Sequence, residues 1–406
     1  MIMAEKTIRI AAIGLGNRTC KYLRFVKKNP SVAMLTAIAD SDRQRLLSVQ
    51  ERFGLEDQAC FTSPDEFFSA VKDVDICIIG TPDKYHYDMT VRALGNGWNV
   101  LLEKPMAQDI DECRKIAELS QQTGLLVSVC YVLRYHPYFV KMKELTARPD
   151  MGRILSVKHV ERVGIDRTTH TYVRGPWTYK EMNTSMFFSK CCHDVDFVLW
   201  LTGNDVRTVS SFREGRPFDP SLAPKGAASR CICCSKEGTC RYSAVDLYLR
   251  RRDWIKGFIP YPDEEERDTI LRMLSESRFG RCVYNCTDTD AVDRQTVVLE
   301  MESGIRSEIV MECITEEDNR LTEIQCENAV ISGDETTIYV RFKDGREDES
   351  YDFSWTKSLG YHANADFHII EDLITAVATG RKELRTSAAD AVVSHIVCLK
   401  TENPFQ

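Results

Sequence analysis

A glycine turn near the start of the chain has the residue types that bind a dinucleotide. The apolar run Thr7–Ile13 predicts a buried strand, and Gly14, Gly16 and Thr19 follow it at the entrance to a helical stretch. Gly14 permits a tight turn, and Gly16 lets the backbone approach a pyrophosphate at the helix N-terminus. Thr19 replaces the third glycine of this fingerprint. The predicted cofactor contacts in the turn are Gly14, Gly16, Asn17 and Arg18.

The end of the second predicted strand distinguishes between the two dinucleotides. Val32–Ala39 forms this strand, and Asp40 follows it. A carboxylate at this place accepts hydrogen bonds from the ribose hydroxyls and repels a 2′-phosphate. The sequence therefore predicts that Asp40 binds NAD in preference to NADP, a preference that the nearby Arg43 weakens.

Six of the sixteen cysteines are crowded between Cys231 and Cys286. Thiolates close in sequence, completed by a thiolate from a distant segment, form tetrahedral zinc sites that hold a loop without its own core. The preferred ligands of a structural zinc are Cys231, Cys234, Cys240 and Cys282, with Cys233 and Cys286 as alternates. Free thiols and an iron–sulfur cluster are the other interpretations.

Charge and hydropathy exclude several classes of protein. The chain has 53 basic and 61 acidic side chains, a net charge of −8, whereas a general nucleic-acid binder needs a basic face. No apolar run approaches the roughly 18–20 residues that cross a bilayer. The start, Met1 to Lys6, lacks the pattern of a signal peptide. We therefore expect a cytoplasmic protein with reduced thiols that binds neither nucleic acid nor membrane.

Strands and helices alternate through the first 130 residues. The predicted strands Asp75–Gly80, Asn99–Leu102 and Leu125–Tyr131 are separated by helical stretches, which predicts an α/β, doubly wound parallel sheet. Ligands of such sheets bind at the carboxyl ends of the strands. The loops Thr81–His86 and Glu103–Pro105 lie at that edge.

After Asp150 the pattern changes to alternating strands and a helix. Arg153–Val163 predicts a strand with one solvated face, residues 182–202 predict a helix, and Val206–Phe212 predicts a further strand. Consecutive antiparallel strands are then predicted at Gln295–Met301, Ile305–Cys313, Leu321–Ser332 and Thr336–Phe342. An open sheet face of this kind commonly pairs with another subunit, so we expect a homo-oligomer, either a dimer or a tetramer.

The pattern divides the chain into three parts. We predict a dinucleotide-binding domain at residues 1–130, a substrate and oligomerisation domain at 131–386, and a C-terminal helix at 387–406 that packs back. Residues 213–294 are an insertion in the second domain, because they are longer than a structureless loop should be. This insertion contains the cysteine cluster.

The motifs together resemble the Gfo/Idh/MocA family, the family of glucose-fructose oxidoreductase and inositol dehydrogenase. The resemblance rests on Gly14-x-Gly16, IIGTPDKYH, NVLLEKPMA and a histidine in CCHDVD, in this order over nearly the whole chain. It implies an N-terminal Rossmann domain and a C-terminal domain with an open, mostly antiparallel sheet. It also implies oxidation or reduction of sugars, inositols or related polyols with NAD or NADP.

The resemblance assigns catalysis to Lys104 and His193. Lys104 would lie between nicotinamide and substrate, and His193 would take the hydroxyl proton as hydride leaves carbon. The family commonly has an aspartate four residues before this histidine, where this chain has Ser189, which cannot serve as the carboxylate partner of a proton relay. The further predicted cofactor contacts are Thr81, Pro82, His86, Glu103 and Lys104. The predicted substrate contacts are Arg134, Tyr135, His170, Tyr172, Arg174, Trp177 and Lys190.

Three functions are compatible with these residues. The first is an NAD-dependent oxidoreductase that transfers a hydride between a sugar or polyol derivative and nicotinamide. The alternative is a glycoside hydrolase that oxidises its substrate, eliminates the aglycone, adds water and returns the hydride to the sugar. The third is a non-enzymatic NAD-binding regulator, against which the presence of both Lys104 and His193 counts.

Overall fold

The computed structural model describes residues 7–178, 184–255, 266–360 and 362–402, which are arranged around two sheets. The first sheet has the order β3-β2-β1-β4-β5-β6, and all its strands are parallel. Its strands are β1 (Ile8–Ile13), β2 (Ala33–Ala39), β3 (Cys60–Phe61), β4 (Ile76–Ile79), β5 (Asn99–Leu102) and β6 (Val127–Val129). The strand order reverses between β1 and β4, where doubly wound sheets bind their ligands.

Helices cover both faces of this sheet, which explains why its central strands are apolar throughout. One face packs against α1 (Asn17–Lys28), α2 (Arg43–Phe53) and, from the far end of the chain, α11 (Ala365–Thr379). The other face packs against α3 (Pro64–Ala70), α4 (His86–Gly95), α5 (Ile110–Thr123) and α12 (Ala388–Lys400). The two C-terminal helices therefore complete the N-terminal domain.

The second sheet has the order β14-β13-β12-β11-β7-β10-β9-β8. Its strands are β7 (Ile154–Gly164), β8 (Val206–Glu214), β9 (Arg294–Met301), β10 (Arg306–Thr315), β11 (Asn319–Cys326), β12 (Ala329–Gly333), β13 (Thr337–Phe342) and β14 (Glu349–Asp352). β7 and β10 pair in parallel, and the other neighbours are antiparallel. The prediction of an open, mostly antiparallel sheet is confirmed.

Two details of the strand prediction were wrong. The predicted strand Leu321–Ser332 is the hairpin of β11 and β12, because Glu327 and Asn328 donate their backbone N–H groups to Arg153 and Met151 instead of continuing a strand. The predicted consecutive order also misses β7, which inserts between β10 and β11. Both differences come from pairing with a segment distant in sequence.

Helix α8 (Met186–Thr202) carries the predicted catalytic histidine and is buried on nearly all sides. It begins at Ser185, whose hydroxyl accepts a hydrogen bond from the Phe188 N–H at 3.2 Å. The helix packs against β7, β10 and α12, and also against α6 (Pro137–Thr146). Residues 182 and 183, which the sequence predicted as the helix start, lie outside the described residues.

Residues 215–293 connect the end of β8 to the start of β9. These two ends are adjacent, because Glu214 pairs with Arg294. This insertion contains α9 (Ala244–Arg250), α10 (Glu266–Glu276) and a small apolar cluster of its own. The short helix α7 (Ile165–Arg167) precedes it in the chain. No helix in the described ranges is long and apolar enough to cross a bilayer.

Candidate active site

The glycine turn leaves room for a ligand at the N-terminus of α1. Gly14 has a φ of +80°, and a Cβ there would lie 2.5 Å from the Thr81 nitrogen. Around a Cβ built on Gly16, by contrast, no atom of the described residues lies within 4 Å. Gly16 caps α1 without a side-chain hydrogen bond, and the first turn has no acidic residue. The arrangement fits a pyrophosphate bound by backbone N–H groups.

Thr19 stands where the fingerprint has its third glycine, and the small residue at the contact between helix and strand is Gly80 instead. We call this the packing exchange. Thr19 is fully buried, and its hydroxyl donates to the Gly14 carbonyl at 2.6 Å. A Cβ on Gly80, at the end of the adjacent strand, would lie 2.2 Å from the Thr19 Oγ1. The close approach of helix to strand that a third glycine would permit is therefore provided by Gly80.

Asp40 lies beside this turn. Its carboxylate accepts hydrogen bonds from the Leu15 N–H at 2.6 Å and from the Asp42 N–H at 2.7 Å. These bonds fix the side chain at the carboxyl end of β2, close to the glycine turn. This is where a carboxylate recognises the adenosine ribose of a dinucleotide.

A buried ionic network joins the glycine helix to the EKP loop and to α11. Arg18 donates to Glu103 at 2.8 Å and to Asp366 at 2.6 Å, and Tyr22 donates to Glu103 at 2.5 Å. Burial raises the pKa of Glu103, but the charge of Arg18 and the hydrogen bond from Tyr22 outweigh it and lower this pKa overall. Arg18 and Glu103, both predicted as cofactor contacts, therefore bind each other.

His86 holds together the two loops at the edge of the sheet. Its ring nitrogens lie 2.6 Å from the Pro105 carbonyl and 2.8 Å from the Thr81 carbonyl. The Thr81 hydroxyl oxygen is buried and has no hydrogen-bond partner among the described residues. His86 is thus an internal bridge, while Thr81 retains a polar atom for a ligand. Pro82 is exposed next to them.

Lys104 reaches from the first domain to α8. Its ammonium donates to the Ser189 carbonyl at 2.6 Å. Ser189 is the position where the family commonly has an aspartate, so Lys104 binds a backbone oxygen at the place where a carboxylate would otherwise stand. This contact brings the EKP loop within one helical turn of His193.

His193 is buried, with 9% of its surface exposed, and its Nδ1 has no hydrogen-bond partner in the described structure. Burial, followed by the Lys104 ammonium, lowers the pKa of His193 well below its usual value. The ring is therefore neutral at pH 7 and keeps a lone pair for a proton, although the same burial makes it a weaker base than a solvated imidazole. An unsatisfied polar atom at this depth is costly, and a substrate hydroxyl would satisfy it.

A cavity of about 1130 Å³ borders this centre. Its wall includes His362, whose ring centroid lies 6.4 Å from that of His193. Lys190 and Glu161 also line it, with their charged atoms 2.5 Å apart. Lys104 and His193 are not in the lining, so the cavity meets the predicted reaction centre at His362.

The residues predicted to contact substrate are dispersed. Lys190 lines the cavity, and Tyr172 is buried with its hydroxyl in contact with Ser189. Tyr172 and the five other residues do not line it. Arg134 binds Asp196 at 2.8 Å, Tyr135 binds Asp372 at 2.7 Å, His170 lies 3.0 Å from the Tyr248 hydroxyl, Arg174 binds the Arg281 and Tyr242 carbonyls, and Trp177 is 43% exposed.

The sequence reasoning missed three groups at the site. Glu161 and Arg320 face each other at 2.7 Å, and Arg320 also binds Asp194 at 2.6 Å. Glu161 is buried in a strand predicted to have one solvated face, so alternation gave no warning. His362 lies more than 160 residues after His193, and only the fold brings the two together.

The backbone at His362 is also unusual. His362, Ala363 and Asn364 all have positive φ values of 69°, 48° and 62°. Each non-glycine residue held in this region costs on the order of 1–3 kcal/mol, and such strain collects at functional sites. Asp366, 3.3 Å from the His362 Nδ1, and Arg18 anchor the segment.

The four preferred zinc ligands lie close together, but their side chains are not arranged as a metal centre. Cys231, Cys234, Cys240 and Cys282 all line one small cavity in the insertion, whereas Cys233 is exposed and Cys286 is buried outside that lining. Within the part of the chain that the structure describes, no three His, Cys, Asp or Glu side chains are arranged to hold a metal ion. The zinc prediction is therefore without support from side-chain geometry.

Known proteins resemble this chain in sequence and in fold. Residues 8–131 match the model of an oxidoreductase family with an NAD-binding Rossmann fold. Inositol 2-dehydrogenase 4 of Saccharopolyspora erythraea is 25% identical over 55% of this chain and 62% of its own length. The NAD(+)-dependent scyllo-inositol 2-dehydrogenase of Bacillus subtilis is 23% identical over 51% and 57%. The chain thus spans about three fifths of the length of these curated relatives.

Two solved structures share nearly the whole fold. An oxidoreductase from Agrobacterium radiobacter, in complex with NAD+, L-tartaric acid and magnesium, aligns with a TM-score of 0.70 and 15% identity over 98% of this chain and 97% of its own. A structure described as a putative myo-inositol dehydrogenase from Sinorhizobium meliloti aligns with a TM-score of 0.64 and 17% identity over 97% and 95%. The match at residues 8–131 therefore shows an NAD-binding Rossmann domain similar to that of the Gfo/Idh/MocA oxidoreductase family, and the two solved structures show the same overall fold.

Proposed function

We propose that the protein is an NAD-dependent oxidoreductase that transfers a hydride between a CH–OH carbon of a sugar or polyol and nicotinamide. The observation that carries this proposal is the buried, neutral His193, whose Nδ1 has no hydrogen-bond partner among the described residues and which lies one helical turn from the Lys104–Ser189 contact. Inositol dehydrogenases among the relatives support the substrate class.

The residues of the glycine turn and Asp40 are suited to hold NAD. The open side of Gly16 and the uncapped N-terminus of α1 would receive the pyrophosphate, and Asp40 would receive the ribose. When bound, the nicotinamide supplies the acceptor or donor of the hydride. The carboxylate of Asp40 favours NAD over NADP because it would repel a 2′-phosphate.

The protein's own residues must take up the proton of the reacting hydroxyl. His193 is neutral, and its Nδ1, which has no partner among the described residues, can accept that proton as the carbon is oxidised. Burial makes it a weak base, and the negative charge that develops on the substrate would offset this. Lys104 provides a positive charge beside the developing alkoxide, which such a charge stabilises. Tyr172, Lys190 and Glu161 would surround the rest of the substrate. A homo-oligomer and a cytoplasmic location stay predictions from the sequence.

Proton NMR with NAD and a panel of inositols, free sugars and glycosides tests the reaction. We expect a keto product in step with NADH, and a loss of about 10²–10⁴-fold in kcat for His193→Ala and for Lys104→Met. Lys115→Met, an exposed lysine on α5, is the control and should retain full activity. Aglycone release without NADH would replace this proposal with the hydrolase, and binding of NAD without any turnover would favour the regulator.

A further inference from the structure

The cavity in the insertion combines four thiols with one buried cation. Cys231 and Cys234 lie on either end of a short turn, Cys240 follows it, and Cys282 comes from a distant segment. The cavity has a volume of about 30 Å³, which suits a single ion or water and excludes a sugar. It is separate from the large cavity beside His193.

The backbone already joins the two segments that carry these thiols. Arg230 and Arg281 form an isolated antiparallel bridge, and the Cys282 N–H donates to the Ser229 carbonyl at 2.9 Å. The two ends of the cysteine pattern are thus fixed next to each other before any side chain is considered. This is the local geometry that a metal stapling a loop requires.

Arg174 is a second, independent sign of a charged ligand. It is fully buried, donates to the Tyr242 carbonyl at 2.6 Å and to the Cys231 Sγ at 3.6 Å, and its Nη1 has no partner in the described structure. None of its described contacts is with a carboxylate. A buried guanidinium without a counter-ion is costly, so its surroundings should carry negative charge.

A second N–H group also points at a thiol. The Ala228 N–H donates to the Cys234 Sγ at 3.5 Å. Hydrogen bonds of this kind stabilise thiolate ligands and orient them around a metal. Thiols that were simply packed in an apolar core would have no need of such donors.

We propose that Cys231, Cys234, Cys240 and Cys282 bind one Zn²⁺ ion in a structural, tetrahedral site. Each thiol gives up its proton on binding, so four thiolates and one Zn²⁺ leave a complex of charge −2 beside the Arg174 guanidinium. The side chains must draw together around the ion, because as they stand no three of them are arranged to hold it. With four protein ligands the ion keeps no open position for catalysis.

A bound ion would stabilise the insertion. Its own apolar cluster is small, and residues 228–243 are built mainly from short turns. A bound metal would therefore supply much of the free energy that holds these turns together. The ion would fix the shape of the insertion that contributes Arg241, Arg250 and Arg251 to the wall of the large cavity.

Metal analysis of the full chain, produced with added zinc and purified without chelator, tests the proposal independently of any enzymatic activity. We expect one zinc per chain, and loss of zinc in Cys231→Ser and Cys282→Ser. Cys233→Ser and Cys286→Ser are matched controls from the same cluster that do not line the cavity, and they should retain the metal. Wild-type protein without zinc, protein with iron instead, or full zinc in both ligand variants would overturn the proposal.

A second measurement covers the case in which the ligand variants fail to fold. Wild-type protein is stripped with a chelator and given Co²⁺, whose absorption reports the number and geometry of its thiolate ligands. We expect the charge-transfer and ligand-field bands of a tetrahedral tetrathiolate, together with recovery of the resistance of the insertion to protease. An octahedral Co²⁺ spectrum, or a protease pattern that neither chelator nor metal changes, would contradict the site.

Discussion

Two regions bring together polar side chains from distant segments: the nucleotide edge, which is the carboxyl edge of the first sheet, and the cysteine cavity of the insertion. The two regions differ in whether these side chains bind one another. At the edge, Arg18, Tyr22, Glu103 and Asp366 bind one another. In the cavity, the thiols line the same space as Arg174, which has a buried nitrogen without a partner among the described residues. The edge is therefore held by the protein's own contacts, whereas the proposed metal ion would complete the cavity.

This difference has a functional reason. A site that aligns a hydride donor and acceptor must be rigid before the substrate arrives, because misplacement is costly to the rate. A structural site has no such requirement and can form together with the fold of its loop. Three substitutions, from the largest expected effect to the smallest, test whether the protein's own contacts stabilise the edge without a ligand.

Removal of the Glu103 charge should cause the largest loss of stability. Glu103→Gln removes the buried carboxylate that accepts from both Arg18 and Tyr22, but Arg18 is 29% exposed and keeps Asp366, so the loss should be about 3 kcal/mol, at the lower end for breaking a buried pair. Chemical denaturation without NAD measures this free energy. Glu118→Gln, an exposed residue on α5, is the control and should change stability by less than about 0.5 kcal/mol.

The pH dependence of the same variant gives a further check. The folded-state pKa of Glu103 is below its usual value, so its contribution is present above the unfolded pKa of about 4.3 and is lost as pH falls through the folded value. The gap in stability between wild type and Glu103→Gln should therefore narrow in acid. A gap that is constant down to low pH would show that the charge does not stabilise the network.

The packing exchange between Thr19 and Gly80 predicts a smaller effect that a second change can reverse. Gly80→Ala should destabilise by about 1–3 kcal/mol, because its new methyl group meets the Thr19 Oγ1. Thr19→Ala in the same chain removes that atom and should recover part of the loss. Gly95→Ala, whose new Cβ meets no atom within 4 Å, is the control. Equal stability of Gly80→Ala and wild type in thermal unfolding would refute the exchange.

The smallest effect on folding, and one specific to the ligand, is expected at Gly16. Gly16→Ala should change stability by less than about 0.5 kcal/mol, since its Cβ meets no atom in the part of the chain that the structure describes. It should weaken NAD binding by about tenfold or more, or about 1.4 kcal/mol, measured by calorimetry. Gly14→Ala is the contrasting variant, because its positive φ and the nearby Thr81 make it lose stability without NAD. Unchanged NAD affinity in Gly16→Ala would place the pyrophosphate elsewhere.

The first domain was predictable because its signals are local. Short apolar strands, a glycine turn and an acidic residue after β2 all follow from stretches of fewer than about ten residues, which fix backbone conformation by sterics and hydrophobic period. The second sheet was predicted in class but not in order. β7 pairs with β10 and β11 across more than a hundred residues, and no turn signal records such a pairing.

The sequence by itself determined the dinucleotide fold and the two loops at its edge, because spacing within a βαβ unit dictates which side chains reach one edge. The resemblance to a known family, and not this spacing, indicated Lys104 and His193. Only the tertiary structure decided what surrounds them. Asp366 binds Arg18, which lies 348 residues earlier in the chain, and the ring of His362 lies 6.4 Å from that of His193. Contacts of this kind depend on how two sheets and the C-terminal helices pack, and side-chain chemistry is complete only once that packing has formed.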